Sequence, residues 1–389
     1  MDYLLLATDY PPQVGGIQTY HSHLAAALQG IGRQVHVIAT EHPGWQEHDA
    51  ASPVPVTRVP TEGGKPAIYR RMRDEALRLA SASPAPLRGI ISTKWSPEAP
   101  GAKQAADSLD VPWGLFGHDR EFILHGANVL KWLLQQYLFD KTDFCFAISN
   151  YAADNFRRAG VPDARIRMVG CGIDSDRLRP DQARAAELRS RHGLADALVL
   201  LTVARVVPRK GHLTVVQALP QIMNALGADR PVKYLIVGEG EYLSTLQAAV
   251  VAKGLADSVV FAGRADDADL CGYYTLADLM VMPSYDIPGK PSEGFGLTFL
   301  EANCCETPVI GSRTGGIPDA VDHGLTGLLV PPRNPQSLAR AATQLLRDPE
   351  ALKQMGLHAR RRAEQQFTWN LVARRVDATF GELWQSNTR

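Results

Sequence analysis

"LVLLTVARVVPRKGHLTVVQAL", residues 198–219, sets a continuous apolar run, a short turn carrying Arg205 and Lys210, and a helix-spaced segment in immediate succession. An apolar run without polar alternation reads as a strand buried on both faces, which is how strands look in a parallel sheet covered by helices. Such runs recur as "DYLLLAT", "QVHVIAT", "GIIST", "VPWGLFG", "FCFAIS", "KYLIVGEG", "SVVFAG", "LMVMPS", "TPVIGS" and "GLLVPP". Between them lie helical patterns such as "GIQTYHSHLAAALQGIG", where Ile17, Tyr20, Leu24 and Leu28 share a face and Gly30 and Gly32 end the helix. The alternation predicts an α/β fold of doubly wound parallel sheets.

The chain has 389 residues, which suits two domains with a cleft between them. The polar, Arg-rich stretch "GIDSDRLRPDQARAAELRSRHGLADA" places the domain change around residues 175–185. The sequence is 45% hydrophobic and 21% charged, with 41 basic and 41 acidic residues, so a polyanion such as nucleic acid is not its expected partner. Five cysteines without C-x-x-C or Cys/His ligand spacing read as reduced thiols of a cytosolic protein, with neither a zinc site nor a disulfide frame. "MDYLLLATDYPP" reads as a first buried strand with no export signal, and no apolar stretch is long enough for a membrane span. "HPGWQEHDAASPVPVTRVPTEGGKPA", rich in Pro and Gly, reads as a loop, either a flap over a site or a surface connection.

Several stretches carry candidate chemistry. Gly15 and Gly16 lie between the first strand and the first helix, where a backbone without Cβ atoms can approach an anion; a tight turn needing positive φ is the alternative. Arg205 and Lys210 follow a strand and precede a helix headed by Gly211, a position suited to a diphosphate. "LIVGEGEYLSTL" has Leu243 where a dinucleotide fingerprint needs its third glycine, and reads as a strand-to-helix turn. His118 and Asp119 end a strand, where the histidine could meet a sugar hydroxyl, carry a proton or be structural. The "DSD" and "DAD" pairs (Asp174, Asp176; Asp267, Asp269) sit beside no phosphate loop, so no metal site is expected. "NVLKWLLQQYLF" could dock on a membrane, but its spacing fits a buried helix and we read it as core. Arg70, Arg71 and Arg73 could meet an anionic acceptor, although a solvated helix face accounts for them more simply. In "PSEGFGLTFLEANC", residues 291–304, Glu293 stays in a glycine-rich loop while Glu301 lies about one and a half turns into the helix that starts near Gly296. A glycosidase carboxylate pair is the competing reading, but Phe295 and two glycines between the acids suit the holding of hydroxyls better.

Together these stretches resemble family 4 of the retaining glycosyltransferases, whose GT-B fold sets two Rossmann-like domains about a central cleft. "PPQVGGIQTY" is similar to the family's N-terminal Gly-Gly loop, "FAISNYAADNF" and "GIDSDRLRP" to its inter-domain segment, "VARVVPRKG" to its Arg/Lys motif, and "EGFGLTFLE" to its E-x7-E signature, followed by "TPVIGSRTGGIPDAV". "DYPPQVGGIQTY" is most like the bacterial lipid mannosyltransferase branch. The resemblance implies an acceptor domain over residues 1–178, with a C-terminal helix within 368–389 packing back on it, and a donor domain over 179–367. Hinge closure between the two is the implied motion.

It also implies roles by position. Arg205 and Lys210 would bind the diphosphate of a nucleotide sugar, with Gly16 and its neighbour Gly15 approaching from the other domain. Glu301 would take the ribose hydroxyls through both carboxylate oxygens. Glu293 would hold a hydroxyl of the donor sugar, helped by backbone N–H groups around Phe295, Gly296 and Leu297. His118 would contact the sugar near its 6-hydroxyl, and the backbone at Arg264 would read the base. The extra residues in "SYDIPGKPSEGFG" bring Asp286 and Lys290 close to the donor sugar in sequence, where they either adjust sugar choice or are solvated. Family chemistry is hexose transfer with retention and without a metal or other cofactor, the nucleotide sugar being a co-substrate.

These implications favour GDP-mannose as donor, with UDP-glucose or UDP-N-acetylglucosamine as alternatives, and a glycan or lipid-linked acceptor. A nucleotide-sugar epimerase or hydrolase is the competing enzyme class, and a non-catalytic nucleotide-binding scaffold the third. A cytoplasmic enzyme is expected, with peripheral contact at the inner membrane face left open.

Overall fold

A computed structural model of the protein describes residues 1–118, 129–228, 230–290 and 292–387. The chain divides into two compact units, one formed by residues 1–172 and 367–389 and the other by residues 173–366. The division at Gly172/Ile173 falls at the first residues of the Arg-rich stretch, six residues before 178.

The first unit runs β1 (Tyr3–Ala7), α1 (Gly16–Gly30), β2 (Val35–Thr40), α2 (Trp45–Ala51), β3 (Val56–Val59), α3 (Gly64–Ser81), β4 (Gly89–Ser92), α4 (Glu98–Leu109), β5 (Trp113–Gly117), α5 (Val129–Lys141), β6 (Phe144–Ala147), α6 (Asn150–Arg158) and β7 (Ile166–Met168). Its sheet has the order β3-β2-β1-β4-β5-β6-β7, with each neighbouring pair parallel. The second unit runs α7 (Gln182–Arg191), β8 (Leu198–Val203), α8 (His212–Leu226), β9 (Val232–Val237), α9 (Leu243–Ala252), β10 (Val259–Gly263), α10 (Leu270–Leu276), β11 (Leu279–Met282), α11 (Leu297–Cys304), β12 (Val309–Ser312), α12 (Ile317–Ala320), β13 (Gly327–Val330), α13 (Pro335–Leu346) and α14 (Pro349–Gln366). Its parallel sheet has the order β10-β9-β8-β11-β12-β13. The chain then returns to the first unit as α15 (Trp369–Asn387).

In both sheets the strand order reverses direction once, between β1 and β4 and between β8 and β11. Such a reversal sends neighbouring crossovers to opposite faces and opens a crevice at the carboxyl ends of the two strands, the usual ligand position in open α/β sheets. Burial explains the apolar runs: all five residues of β1 and all four of β11 are covered. In α15, Val372, Ala373, Val376 and Phe380 are buried, and Asp377 accepts from Arg33 at two oxygens and from the Tyr3 hydroxyl, which ties the helix to the first unit.

Two expectations need correcting. Residues 42–67 are not a loose loop, because they contain α2 and the edge strand β3, held by Arg58, whose guanidinium donates to Asp49 and to the carbonyls of Thr40 and Pro11. The segment of "NVLKWLLQQYLF" read as core is α5, and of its described residues only Gln135, Leu138 and Phe139 are buried. Val129, Leu130, Trp132, Leu133, Leu134 and Tyr137 face outward at 41–76% exposure. The five cysteines are free thiols, and burial pushes that of Cys304 up to about 12.

Candidate active site

The crevice of the second unit is lined by the turns after β8 and β11. After β8 the chain passes Ala204 and the exposed Arg205, tightens into a single helical turn at Pro208–Lys210, and enters α8 through Gly211. Gly211 has φ +79°, and a Cβ there would lie 2.2 Å from the Pro283 carbonyl oxygen, so the β8 turn is pressed against the end of β11 as only glycine permits. His212 supports it from behind: its Nε2 faces the Arg205 carbonyl at 3.3 Å and its Nδ1 the Tyr234 hydroxyl at 3.1 Å, which in turn meets Thr202 Oγ1 at 2.8 Å. Burial holds the His212 imidazole down to about 4, so it is neutral.

This turn aims two cations at one carboxylate. Lys210 Nζ donates to Glu293 Oε2 at 2.7 Å, and Arg209 donates to the same oxygen at 2.9 Å. All three side chains are at most 19% exposed. Burial alone would raise the Glu293 carboxyl, but Lys210 and Arg209 outweigh it and hold the group below the usual carboxylate range. Burial lowers the Lys210 ammonium, with Glu293 opposing. Arg205, Arg209 and Lys210 act on one another and on the carboxylates Glu293 and Glu301, and the cations outnumber the carboxylates at this turn, which favours an anionic ligand. Arg209 was not anticipated; the adjacent cations in "VPRKG" were its only sequence signal.

The loop carrying Glu293 is fixed from three sides. Asp286 accepts from Ser292 Oγ and, at 2.6 Å, from Thr314 Oγ1, so its carboxylate tethers the loop, while Lys290 is exposed. The Gly316 N–H donates to the Glu293 carbonyl at 2.8 Å, and a Cβ on Gly316 would lie 2.0 Å from the Gly294 carbonyl oxygen. Phe295 is buried, and Gly296 caps the N-terminus of α11 ahead of Leu297. Glu301 follows within α11, where Oε2 accepts from the Tyr274 hydroxyl at 2.6 Å; burial pushes the carboxyl up and that bond pulls it back. Arg264 is exposed directly after the edge strand β10. Asp269 receives Arg184 and Arg191, which engages the "DAD" carboxylate in ion pairs.

The crevice of the first unit collects residues from β1, β4 and β5. Gly15 is extended, Gly16 has no positive φ, and a Cβ on Gly16 would meet nothing within 4 Å. The turn alternative for this pair therefore fails: no backbone strain calls for glycine, and the space beside Gly16 is open. His118 is buried after β5, and its Nε2 lies 2.7 Å from Nε2 of His21 on α1, so one ring donates to the other. Burial, and then Lys94, push His118 down to about 3, while burial and His118 hold His21 well below its ordinary value; both are neutral. Lys94 donates to Asp9 at 2.5 Å, and the fully buried Glu98 accepts from the Thr8 N–H at 2.7 Å and hydroxyl at 2.6 Å. His21, Lys94 and Glu98 escaped sequence reading because separate segments bring them together. Asp119 lies outside the described residues.

Comparison with known proteins agrees across the chain. Residues 15–172 match the family described as glycosyl transferase 4-like domain, and residues 184–362 the family described as glycosyl transferases group 1. A GDP-mannose-dependent alpha-(1-6)-phosphatidylinositol monomannoside mannosyltransferase of Mycobacterium tuberculosis is 32% identical over 388 residues, covering 96% of each chain. The Mycolicibacterium smegmatis protein of the same description is 30% identical over 389 residues, again with 96% of each covered. Among solved structures, Anabaena HepE in complex with UDP superposes with a TM-score of 0.82 at 20% identity, covering 98% of this chain and all of that one. Sucrose-phosphate synthase of Thermosynechococcus elongatus does so with a TM-score of 0.74 at 23% identity over 99% of this chain and 100% of that one, so both speak for a shared fold.

Proposed function

We propose, from the premise that the chain belongs to the family 4-like GT-B glycosyltransferases and their bacterial mannosyltransferase branch, that it moves mannose from GDP-mannose to a phosphatidylinositol-mannoside-type lipid with retention and without a metal. The observation that carries this reading is the carboxylate Glu293 held between Lys210 and Arg209 at the switch point of the second unit. The three cations gathered there suit the ionised oxygens of a nucleoside diphosphate bridge. The donor choice rests on the mycobacterial relatives, which use GDP-mannose and act on a phosphatidylinositol mannoside.

In the proposed step the bond from the sugar C1 to the diphosphate oxygen breaks, and its electron pair leaves on the diphosphate. An acceptor hydroxyl bonds to C1 from the same face and its proton passes to a phosphate oxygen. Arg205, Arg209 and Lys210 stabilise the charge that develops on the leaving group, Arg209 and Lys210 from a covered position and Arg205 from the exposed end of the same turn. Glu293, held ionised by its neighbours, accepts a hydrogen bond from a sugar hydroxyl. Glu301 takes the ribose hydroxyls with Oε1 and the second lone pair of Oε2, since Tyr274 already uses one. His118 is neutral at physiological pH, so it serves as a hydrogen-bonding group and not as a general acid.

A thermal-shift panel of GDP-, UDP- and ADP-sugars tests the donor, because stabilisation follows the ligand's affinity and concentration. GDP-mannose is expected to raise Tm most. Greater stabilisation by UDP-glucose or UDP-N-acetylglucosamine would overturn the donor, rapid donor turnover without acceptor would favour a hydrolase or epimerase, and a β-linked product or a rate abolished by EDTA would overturn the mechanism.

A further inference from the structure

Two thiols meet beside the carboxylate assigned to the ribose. Cys271 lies in α10 three positions before Tyr274, and Cys305 follows the end of α11 four positions after Glu301. Offsets of three and four share a helix face, so the two helices meet through two rungs. In one rung the Tyr274 hydroxyl donates to Glu301 Oε2 at 2.6 Å; in the other the Cys305 and Cys271 thiols lie within hydrogen-bonding reach of each other. Each thiol also holds the segment that enters the second unit, Cys271 Sγ donating to the Arg177 carbonyl at 3.5 Å and Cys305 Sγ to that of Arg179 at 3.6 Å.

Among the described residues no group of three His, Cys, Asp or Glu is placed to hold a metal ion, so the chemistry open to this pair is that of two thiols. They differ in access. Cys271 is half-buried, whereas Cys305 is 3% exposed and burial pushes its thiol well above the ordinary range. A small oxidant therefore meets Cys271 first, and Cys305 stands next to it to resolve the product. In a reducing compartment such pairs form disulfides transiently, as sensors and not as a structural frame.

We propose that Cys271 and Cys305 form a reversible redox-modification site, which a peroxide converts to a disulfide and which thereby weakens the hold of Glu301 on the donor nucleotide. In the first step the Cys271 sulfur attacks one peroxide oxygen, the O–O bond breaks, and water leaves as the thiol becomes a sulfenic acid. The Cys305 sulfur then attacks the Cys271 sulfur, the S–O bond breaks, and a second water leaves. Two thiols have lost two electrons and two protons, and hydrogen peroxide has become two molecules of water. The covalent S–S bond is shorter than the thiol contact it replaces, so it shifts α10 against α11 and with them the bond from Tyr274 to Glu301. It also removes both S–H donors from the Arg177 and Arg179 carbonyls. The consequence for the donor rests on the proposed role of Glu301 at the ribose.

Treatment of the whole protein with hydrogen peroxide, followed by alkylation and peptide mapping by mass spectrometry, tests this. A peptide linking Cys271 to Cys305 is expected, and dithiothreitol should remove it. In the oxidised protein the Kd for GDP and the KM for GDP-mannose should rise about five- to tenfold, the worth of one hydrogen bond, while kcat at saturating donor holds; reduction should restore both. Cys271→Ser keeps a donor for the Arg177 carbonyl, so it should bind GDP as the reduced protein does and ignore peroxide. Cys304→Ala should respond as the unaltered protein, which excludes the neighbouring thiol as the partner. Absence of the Cys271–Cys305 link, a link that leaves GDP affinity unchanged, or an equal response to peroxide in Cys271→Ser would each overturn the proposal. The link is read by mass without any donor, so its absence tells against this site alone. Undiminished GDP affinity in reduced Glu301→Ala would instead sink the ribose assignment, and with it the coupling.

Discussion

Arg209 and Lys210 share a single acceptor, Glu293 Oε2, within 2.9 Å of both. A buried ion pair of this kind is weak evidence for stability, because desolvation offsets much of the attraction, but it does keep a carboxylate ionised inside a covered crevice. Lys210→Ala should lower the transfer rate by about 10²–10³-fold, the usual loss on removing a preorganised charge from a leaving-group site. Arg209→Met should weaken donor binding more than it lowers the maximal rate, since Lys210 still holds Glu293; separate kcat and KM values for the two variants check this. Arg205, Lys210, Glu293 and Glu301 were legible because each sits at a fixed offset from a strand or a glycine turn. Arg209 was not: only the tight turn at Pro208–Lys210 brings both neighbours to one oxygen. Nor did spacing show that Asp286 is engaged by Ser292 and Thr314, which makes it a tether of the Glu293 loop.

At the level of elements, the glycine pair after β12 sets where that loop can lie. A Cβ on Gly316 would meet the Gly294 carbonyl oxygen at 2.0 Å and one on Gly315 the Glu293 carbonyl oxygen at 2.3 Å, both backbone atoms that cannot swing aside. Gly316→Ala should therefore displace Glu293, lower transfer at least tenfold and destabilise the second unit by about 1–3 kcal/mol, as overpacking does; denaturation and initial rates measured on the same preparation check it. Most strands were legible for a simple reason, since strands covered on both faces contain little but apolar residues. β3 and β7 were missed because "VTRV" and "IRM" each carry an arginine, Arg58 in one case engaged by Asp49 and backbone carbonyls, and because both strands lie at the edges of their sheet. For α5 the apolar pattern was legible but its meaning was not, because periodicity shows that a face is apolar and says nothing about which side the rest of the molecule covers.

For the whole molecule, three buried neutral histidines couple folding to pH. The imidazoles of His118 and His212 are pushed down to about 3 and about 4, and that of His21 well below its ordinary value, in each case chiefly by burial. Unfolding lets each take up a proton below about pH 6.5, so the unfolded chain binds more protons and stability falls as the pH drops from there. By pH 5 the burial of His118 and of His212 should each have cost about 2 kcal/mol of stability, with His21 acting in the same direction. Tm is expected to fall steadily between pH 6.5 and 5, with His21 and His118 weakening the first unit and His212 the second; an unchanged Tm over that range would contradict their burial as neutral rings. The two-sheet architecture was legible from the alternation of apolar runs and helical segments. The polar cluster of the first unit was not, because Asp9, His21, Lys94, Glu98 and His118 come from five separate places and meet only once the strand order is known.

We propose that Glu293, held ionised between Lys210 and Arg209, binds the sugar being transferred. The most direct measurement is the initial rate of mannosyl transfer from GDP-mannose to a phosphatidylinositol mannoside by Glu293→Ala, set against the unaltered protein at equal folded concentration. A loss of about 100-fold or more is the predicted result. Undiminished transfer by the variant would show that Glu293 does not hold the sugar.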